Sequence, residues 1–185
     1  MIAPADILFL RETPELERED HDALAMIGRD HARQLKVCDI LEDTAQELLS
    51  EASPVLLSAV TGFLREDLPN HIRDEEQGLF PLLKQHVGDD GDLRAILKQL
   101  QADHEFDEDL VDFLLTDLDK LAKGHHLANP QRLLINMNAF ARGLRRHIEW
   151  EEGVVMPLAR RVLAPEDVQA LGRQMVTLRW GKTDT

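Results

Sequence analysis

Apolar residues recur along this chain mostly at steps of three and four positions, the spacing that places side chains on one face of an α-helix. The interiors of these periodic segments hold few β-branched runs and few of the Asn-Gly or Asp-Gly pairs that mark hairpins. Interruptions fall near residues 50–53, 88–91 and 124–129. The pattern therefore predicts an all-α protein whose helices are separated by short connections.

Helix starts are marked by a polar residue followed by proline, whose missing N–H is not needed in the first turn. Ser53-Pro54 and Asn129-Pro130 have this form, and Ala164-Pro165 is a weaker version. The predicted helices span about 17–50, 54–87, 91–122, 130–162 and, for a short fifth helix, 165–179.

Helices of this length with short connections lie antiparallel to their sequence neighbours. We therefore expect an up-down-up-down antiparallel four-helix bundle with a short fifth C-terminal helix. The 185 residues are predicted to form a single domain, with an N-terminal arm at 1–19, the bundle at 20–162, and a C-terminal helix and tail at 163–185.

Histidines and glutamates interrupt the apolar face of every long predicted helix. When each inward face is written as a heptad seam, it contains one histidine, and on the second and fourth helices a glutamate follows that histidine by four positions. Further along, these two seams are predicted to continue through Leu82, Val154 and Leu158. The six inward polar residues are His31, His71, Glu75, His104, His147 and Glu151.

Counting residues outward from each predicted turn places the four histidines at nearly one level of the bundle. Each glutamate lies one helical turn from its histidine on the same face. Buried carboxylates are costly unless a partner compensates their charge. Imidazole and carboxylate together suit iron, manganese or zinc, so the sequence predicts a metal centre.

Two copies of one phrase supply half of this constellation. Residues 71–82 read HIRDEEQGLFPL, and residues 147–158 read HIEWEEGVVMPL. Two helical hairpins would each contribute a half-site of one histidine plus a His-x-x-x-Glu pair, which favours a dinuclear centre bridged by the two glutamates. Pro81 and Pro157, ten residues after these histidines, are expected to bend their helices.

On these residues the chain resembles the hemerythrin-like family, also called the HHE cation-binding domain. The resemblance covers roughly residues 20–160 and rests on Asp-His at 30–31 and 103–104 and on His-x-x-x-Glu at 71–75 and 147–151. It implies a four-helix bundle holding a non-haem di-iron centre, with two iron ions, or alternatively manganese or zinc, as cofactor.

Two departures from the oxygen-carrying members bear on function. Those members have a second histidine four residues after the third-helix histidine, where this chain has Glu108, and they close the fourth helix with a longer-spaced aspartate. Fewer imidazoles disfavour reversible oxygen carriage and favour redox chemistry, sensing or iron handling. Glu108 is either a candidate additional ligand or a solvated glutamate. Asp107 competes with it for the inward face of the same helix.

The ligand set is also similar to that of di-iron proteins that repair iron–sulfur centres after nitrosative stress. Those proteins usually carry an N-terminal cysteine-bearing segment that this sequence does not show. Two function hypotheses follow from the resemblance: a protein that binds or senses dioxygen, nitric oxide or redox state, and a di-iron oxidoreductase or iron-handling enzyme acting as a ferroxidase, in peroxide or nitric oxide reduction, or in repair. A third hypothesis, which does not depend on the resemblance, is a metal-free interaction bundle with hydrogen-bonded core histidines.

Several other polar residues are predicted to lie off the centre. Asp30 and Asp103 point about 100° from the adjacent histidine, toward the surface or a neighbouring helix. Glu76 and Glu152 are expected to be turned away and exposed. Cys38 is expected to be a small buried apolar residue rather than a redox partner.

Charge and cysteine content restrict partners and location. With 35 acidic and 21 basic residues the formal charge is −14, which disfavours nucleic acid and anionic membrane surfaces as partners. A single cysteine cannot form an internal disulfide, and the N-terminus lacks a basic n-region, so a cytoplasmic location is expected. The expected partner is a small diatomic ligand or peroxide. A homodimer is a further hypothesis.

Overall fold

The structure, a computed structural model, describes residues 9–10, 21–46 and 53–181, which form an all-α bundle without strands in these ranges. We number the five main helices in chain order. They are α1 (Ala23–Gln46), α2 (54–87), α3 (Gly91–Ala122), α4 (130–162) and α5 (Pro165–Trp180). No helix among the described residues is long and apolar enough to cross a membrane.

The helix boundaries follow the capping signals. The predicted ranges of α2, α3 and α4 are confirmed, and α5 extends one residue beyond its predicted end. The expected start of α1 at 17 was wrong where it can be compared, since residues 21 and 22 are not helical and Asp22 Oδ1 accepts a hydrogen bond from Ala25 N at 3.0 Å. The predicted ends 17–20 and 47–50 lie outside the described residues, as does most of the N-terminal arm.

The bundle is built from neighbouring antiparallel helices. α1 packs along α4, α4 along α3, and α3 along the first part of α2. This arrangement matches the predicted up-down-up-down order. α5 folds back over one end, where it contacts α1 and the segment Glu75–Leu79 of α2.

Three short π-helical turns interrupt α2 and α4, and each ends two residues before a proline. A proline clashes with the carbonyl four residues earlier and lacks the N–H that would bond to it. The residue before each proline instead donates its N–H to the carbonyl five residues back, which widens the turn. The turns are Phe63–Asp67, Glu75–Leu79 and Glu151–Val155, with bonds from Leu68 to Phe63, Phe80 to Glu75 and Met156 to Glu151.

The π turns Glu75–Leu79 and Glu151–Val155 move the inward face by one residue relative to the predicted seam. Leu82, Val154 and Leu158 were expected to lie in the core, but all three are only partly buried. The residues that follow them, Leu83, Val155 and Ala159, are at most 1% exposed. Each of these two turns contains one extra residue and rotates the helix beyond it, so the predicted register holds as far as Glu75 and Glu151 and fails after them.

The apolar core consists of two clusters on either side of a polar layer. One cluster contains Leu41, Leu64 and Phe140, and the other contains Met26, Phe80 and Leu97. The layer between them holds the six inward histidines and glutamates. Burial of the two clusters supplies the hydrophobic free energy that must offset the cost of placing charged groups between them.

Gly172 lets α5 approach the start of α1. A Cβ atom at Gly172 would overlap the backbone carbonyl of His21, whereas a Cβ at Gly28, inside α1, would meet no atom within 4 Å. The close contact requires a residue without a side chain at position 172.

We predict opposite effects for the two Gly→Ala substitutions. Gly172→Ala forces α5 away from α1 and should lower the free energy of unfolding by about 1–3 kcal/mol, the usual cost of overpacking. Gly28→Ala should raise it by about 0.5–1 kcal/mol through the lower entropy of the unfolded chain. Denaturant titration of the two variants and wild type checks the pair, and equal effects would contradict the close contact.

Candidate metal centre

The structure brings together all six residues singled out by the heptad seams. Their ligand-type atoms form two overlapping groups, and within each group the atoms lie within 4.8 Å of one another. Every one of the six residues is at most 4% exposed. The groups are His31, His71, Glu75 and Glu151 on one side and Glu75, His104, His147 and Glu151 on the other.

Both glutamates belong to both groups because they lie between the two pairs of histidines. Glu75 Oε2 is 3.3 Å from His71 Nε2 and 3.5 Å from His104 Nε2. The two oxygens of Glu151 divide similarly: Oε2 is 3.1 Å from His31 Nε2, and Oε1 is 3.0 Å from His147 Nε2. Each carboxylate therefore faces histidines from both halves of the bundle.

The unpaired polar atoms of this layer fit a bound cation. His31 Nε2, His71 Nε2, Glu75 Oε2 and both carboxylate oxygens of Glu151 are buried without a hydrogen-bond partner in the described part of the chain. His104 Nε2 and His147 Nε2 face each other at 3.0 Å. Buried groups of this kind are normally hydrogen-bonded or coordinated, and imidazole with carboxylate is a donor set for iron, manganese or zinc.

Without a cation, protons on His31 and His104 compensate the buried carboxylates. Burial lowers the pKa of His31, but the Glu151 and Glu75 carboxylates outweigh this and raise it to about 11. Burial likewise lowers the pKa of His104, and Glu75 is the main cause of its net rise to about 9. For Glu75, burial raises the pKa, while His71, His104 and His31 bring it well below its usual value.

A second carboxylate stands behind each of the four histidines. Two of these contacts are short: Glu152 Oε1 lies 2.7 Å from His31 Nδ1, and Glu76 Oε1 lies 2.8 Å from His104 Nδ1. The other two are longer: Asp30 Oδ2 is 3.4 Å from His71 Nδ1, and Asp103 Oδ2 is 3.8 Å from His147 Nδ1. A carboxylate behind a ligating histidine orients the ring and raises its basicity.

These outer carboxylates were only partly anticipated from the sequence. The contact with a neighbouring helix expected for Asp30 and Asp103 is found. Glu76 and Glu152 lie outside both groups and are 31% and 40% exposed, as expected, but their contacts with His104 and His31 were not anticipated. They reach histidines on other helices, a tertiary contact that no spacing within one helix can reveal.

The outer carboxylates explain why the phrase His-x-x-x-Glu-Glu occurs twice. In each copy the first glutamate points into the metal layer, and the second supports the histidine of the Asp-His pair in the other hairpin. Each Asp-His aspartate contacts the histidine of the next helix in its own hairpin. The two hairpins thus carry the same five residue roles: 30, 31, 71, 75 and 76, and 103, 104, 147, 151 and 152.

Glu108, the candidate additional ligand, is exposed and lies in neither group. Asp107 takes the inward position instead, where burial raises the pKa of its carboxyl to about 6. Gln34 occupies the matching position on α1 and is 1% exposed. Continuing the heptad three residues beyond His31 and His104 would have located both.

Cys38 is fully buried, as expected, and burial raises the pKa of its thiol to about 12. The thiolate, which is the reactive form, is therefore scarce at neutral pH. His125 and His126 are exposed, and His86 contacts Asp167 at 3.1 Å on the surface. None of these residues belongs to the metal layer.

Comparison with known proteins agrees with this site. The family model described as the hemerythrin HHE cation binding domain matches residues 22–159, a range that includes all six inward residues. The curated iron-sulfur cluster repair protein YtfE from Escherichia coli O157:H7 is 26% identical over 155 residues, which cover 80% of this chain and 68% of that protein. No solved structure is significantly similar to the chain. The family match implies a metal-binding site within the matched region.

We predict that the stabilising effect of a bound metal increases as the pH rises from 6 to 9. Because the pKa values of His31 and His104 are raised above 6.5, their protonated forms contribute stability in full below about pH 6.5, and this is lost as pH rises toward about 9 and 11. A metal ion must displace these protons, so its stabilising effect grows over the same range. Melting temperatures with and without Fe(II), measured anaerobically from pH 6 to 9, check this; parallel curves would contradict it.

Proposed function

The chain belongs to the hemerythrin HHE cation-binding domain family, and we propose that its metal layer holds a non-haem di-iron centre that binds or senses a small ligand. The observation that carries this proposal is the sharing of Glu75 and Glu151 by two four-residue groups. Two cations that share two carboxylates are the arrangement typical of di-iron sites inside helical bundles.

In this proposal each ion has two histidines of its own and both glutamates in common. His31 and His71 would hold one ion, and His104 and His147 would hold the other. A bound iron pair supplies exchangeable coordination positions and a change of oxidation state. The chain supplies orientation, since each ring is backed by a carboxylate, and exclusion of water, since apolar clusters lie on both sides.

The burial of the centre limits the ligand to a small molecule. All six inward residues are at most 4% exposed, so a bulky substrate cannot contact them without displacing side chains. Dioxygen, nitric oxide and peroxide satisfy this limit. We therefore propose a diatomic molecule or peroxide as the ligand, with binding or sensing as the outcome.

A second candidate function is iron handling or di-iron redox catalysis, including repair of iron-containing centres. It is favoured by the similarity to a relative whose name describes iron-sulfur cluster repair. The chain contains no tyrosine, so any such chemistry proceeds without a tyrosyl radical. The buried thiol of Cys38 is a poor redox partner because burial raises its pKa to about 12.

The proposal also concerns the cellular location and the partners of the protein. A formal charge of −14 disfavours binding to nucleic acid or anionic membrane surfaces, and the single cysteine suits a reducing cytoplasm. A homodimer is a further hypothesis, and measurement of the native mass in solution is its direct test.

We predict two iron ions per chain and a visible charge-transfer absorption after anaerobic loading and exposure to air. His71→Ala and Glu151→Ala should each lower the bound iron to about one ion or less, because the first removes a ligand from one ion and the second removes a shared ligand. His125→Ala is the matched control in an exposed loop and should retain both ions. Stoichiometric iron in both ligand variants would contradict the assignment of the six residues.

We predict that the first candidate function gives a stable adduct, whereas the second gives turnover. Stopped-flow spectra of the reduced iron-loaded protein mixed with nitric oxide or with peroxide, in the presence of an excess chemical electron donor and against a protein-free control, distinguish the two. Binding alone should produce one spectral change with a stoichiometric end point. Consumption of many equivalents per iron pair would instead favour the oxidoreductase and contradict a simple binding protein.

A further inference from the structure

The two halves of the metal layer share the same pattern of histidines and glutamates, but besides the Gln34–Asp107 difference they differ in the surroundings of the aspartates behind His71 and His147. Glu152 and Glu76 occupy matching places behind His31 and His104, with contacts of 2.7 and 2.8 Å and partly exposed side chains. Asp30 and Asp103 also occupy matching places, but their surroundings differ. The duplication of the hairpin therefore does not make the two half-sites equal.

Asp30 is fixed by two arginines in a buried environment. Its side chain is 4% exposed, it accepts a hydrogen bond from Arg33, and its Oδ2 accepts one from Arg179 Nη2 at 2.5 Å. The same Oδ2 atom lies 3.4 Å from His71 Nδ1. The position of this carboxylate behind the His71 ring is thus determined by its arginine partners.

Arg179 comes from α5, outside the four-helix bundle. Its side chain is 1% exposed, and besides Asp30 it contacts Asp74, to which Nε donates a hydrogen bond at 2.7 Å. Asp74 is buried on α2, three residues after His71. The guanidinium therefore joins α1, α2 and α5 directly behind one half of the metal layer.

Asp103 has no comparable support from the residues that the structure describes. Its side chain is 20% exposed, it lies 3.8 Å from His147 Nδ1, and the bond described to it is donated by the neutral amide of Gln99 at 2.9 Å. Gln99 is itself exposed. A partly solvated aspartate with a neutral partner restrains a histidine ring less than a buried aspartate held by two cations.

We propose that Arg179 is a positioning residue for the metal centre: it holds Asp30 behind His71, so that α5 selectively tightens the His31–His71 half-site. Metal in this half leaves more slowly than metal in the His104–His147 half. This inference rests on the proposed function, since it needs two bound ions. It assigns to α5 a role beyond covering the end of the bundle.

The wild-type protein should release its two Fe(II) ions in two phases. A chromogenic iron(II) chelator is mixed anaerobically with the loaded protein, and absorbance follows release. Loss of a supporting partner typically changes metal affinity by about 10- to 100-fold, so we expect the two rates to differ by at least about 10-fold. Release of both ions in one phase would overturn the inference, even though two bound ions would leave the proposed function intact.

Variants of Arg179 and Asp103 then show which of these residues controls the slow phase of iron release. Arg179→Gln removes the charge but keeps a polar side chain, and should speed the slow phase by about 10-fold or more while the fast phase changes less than about 3-fold. Asp103→Asn should leave the slow phase unchanged. Arg173→Gln, on the exposed face of the same helix, is the matched control and should alter neither phase.

Selectivity for one phase separates positioning from a general loss of structure. If Arg179→Gln merely loosened the fold, both phases would quicken together, and that result would overturn the proposed role. Asp30→Asn tests the same link from the other end and should also speed only the slow phase, which keeps the inference testable if Arg179→Gln does not fold. Absence of two bound ions in wild type would instead refute the proposed function.

Discussion

The structure depends on two carboxylates held in the middle of an apolar bundle. Glu75 and Glu151 are each 1% exposed, with large apolar clusters on both sides of their layer. Burying such charges is costly unless opposite charge stands close by, and removing one partner leaves an uncompensated ion. Protonated His31 and His104 provide that charge in the metal-free layer, and two cations would provide it in the proposed centre. The helices can pack only in the register that brings all of these groups to one level.

The supporting carboxylates tie this layer to the assembly of the whole bundle. Glu152 on α4 supports His31 on α1, and Glu76 on α2 supports His104 on α3, so each hairpin completes a histidine of the other. A separate hairpin would have an Asp-His-to-histidine contact but would lack both the opposing glutamate and the cross-support. The complete donor set therefore exists only in the folded bundle, which couples metal binding to folding.

Much of this arrangement was accessible from the sequence because it follows helical periodicity. The bounds of α2, α3 and α4 and the convergence of six residues needed only caps, spacing and turn positions. The residues beyond Glu75 and Glu151 were misplaced by one position because the π turns break the period that the heptad assumes. Glu76, Glu152 and Arg179 escaped because their roles are contacts between helices, and spacing along one helix carries no information about its neighbours.

The fifth helix is the one main helix without a counterpart in the repeated hairpin. Duplication alone gives two matching half-sites, so a difference between them has to arise from residues outside the repeat or from divergence within it. Both occur at the same pair of positions: Arg179 reaches Asp30, while Asp103 meets Gln99. Since the glutamates are shared by both halves, they cannot distinguish one ion from the other. The support behind the histidines can distinguish the two ions, because α5 contacts only one of the two aspartates.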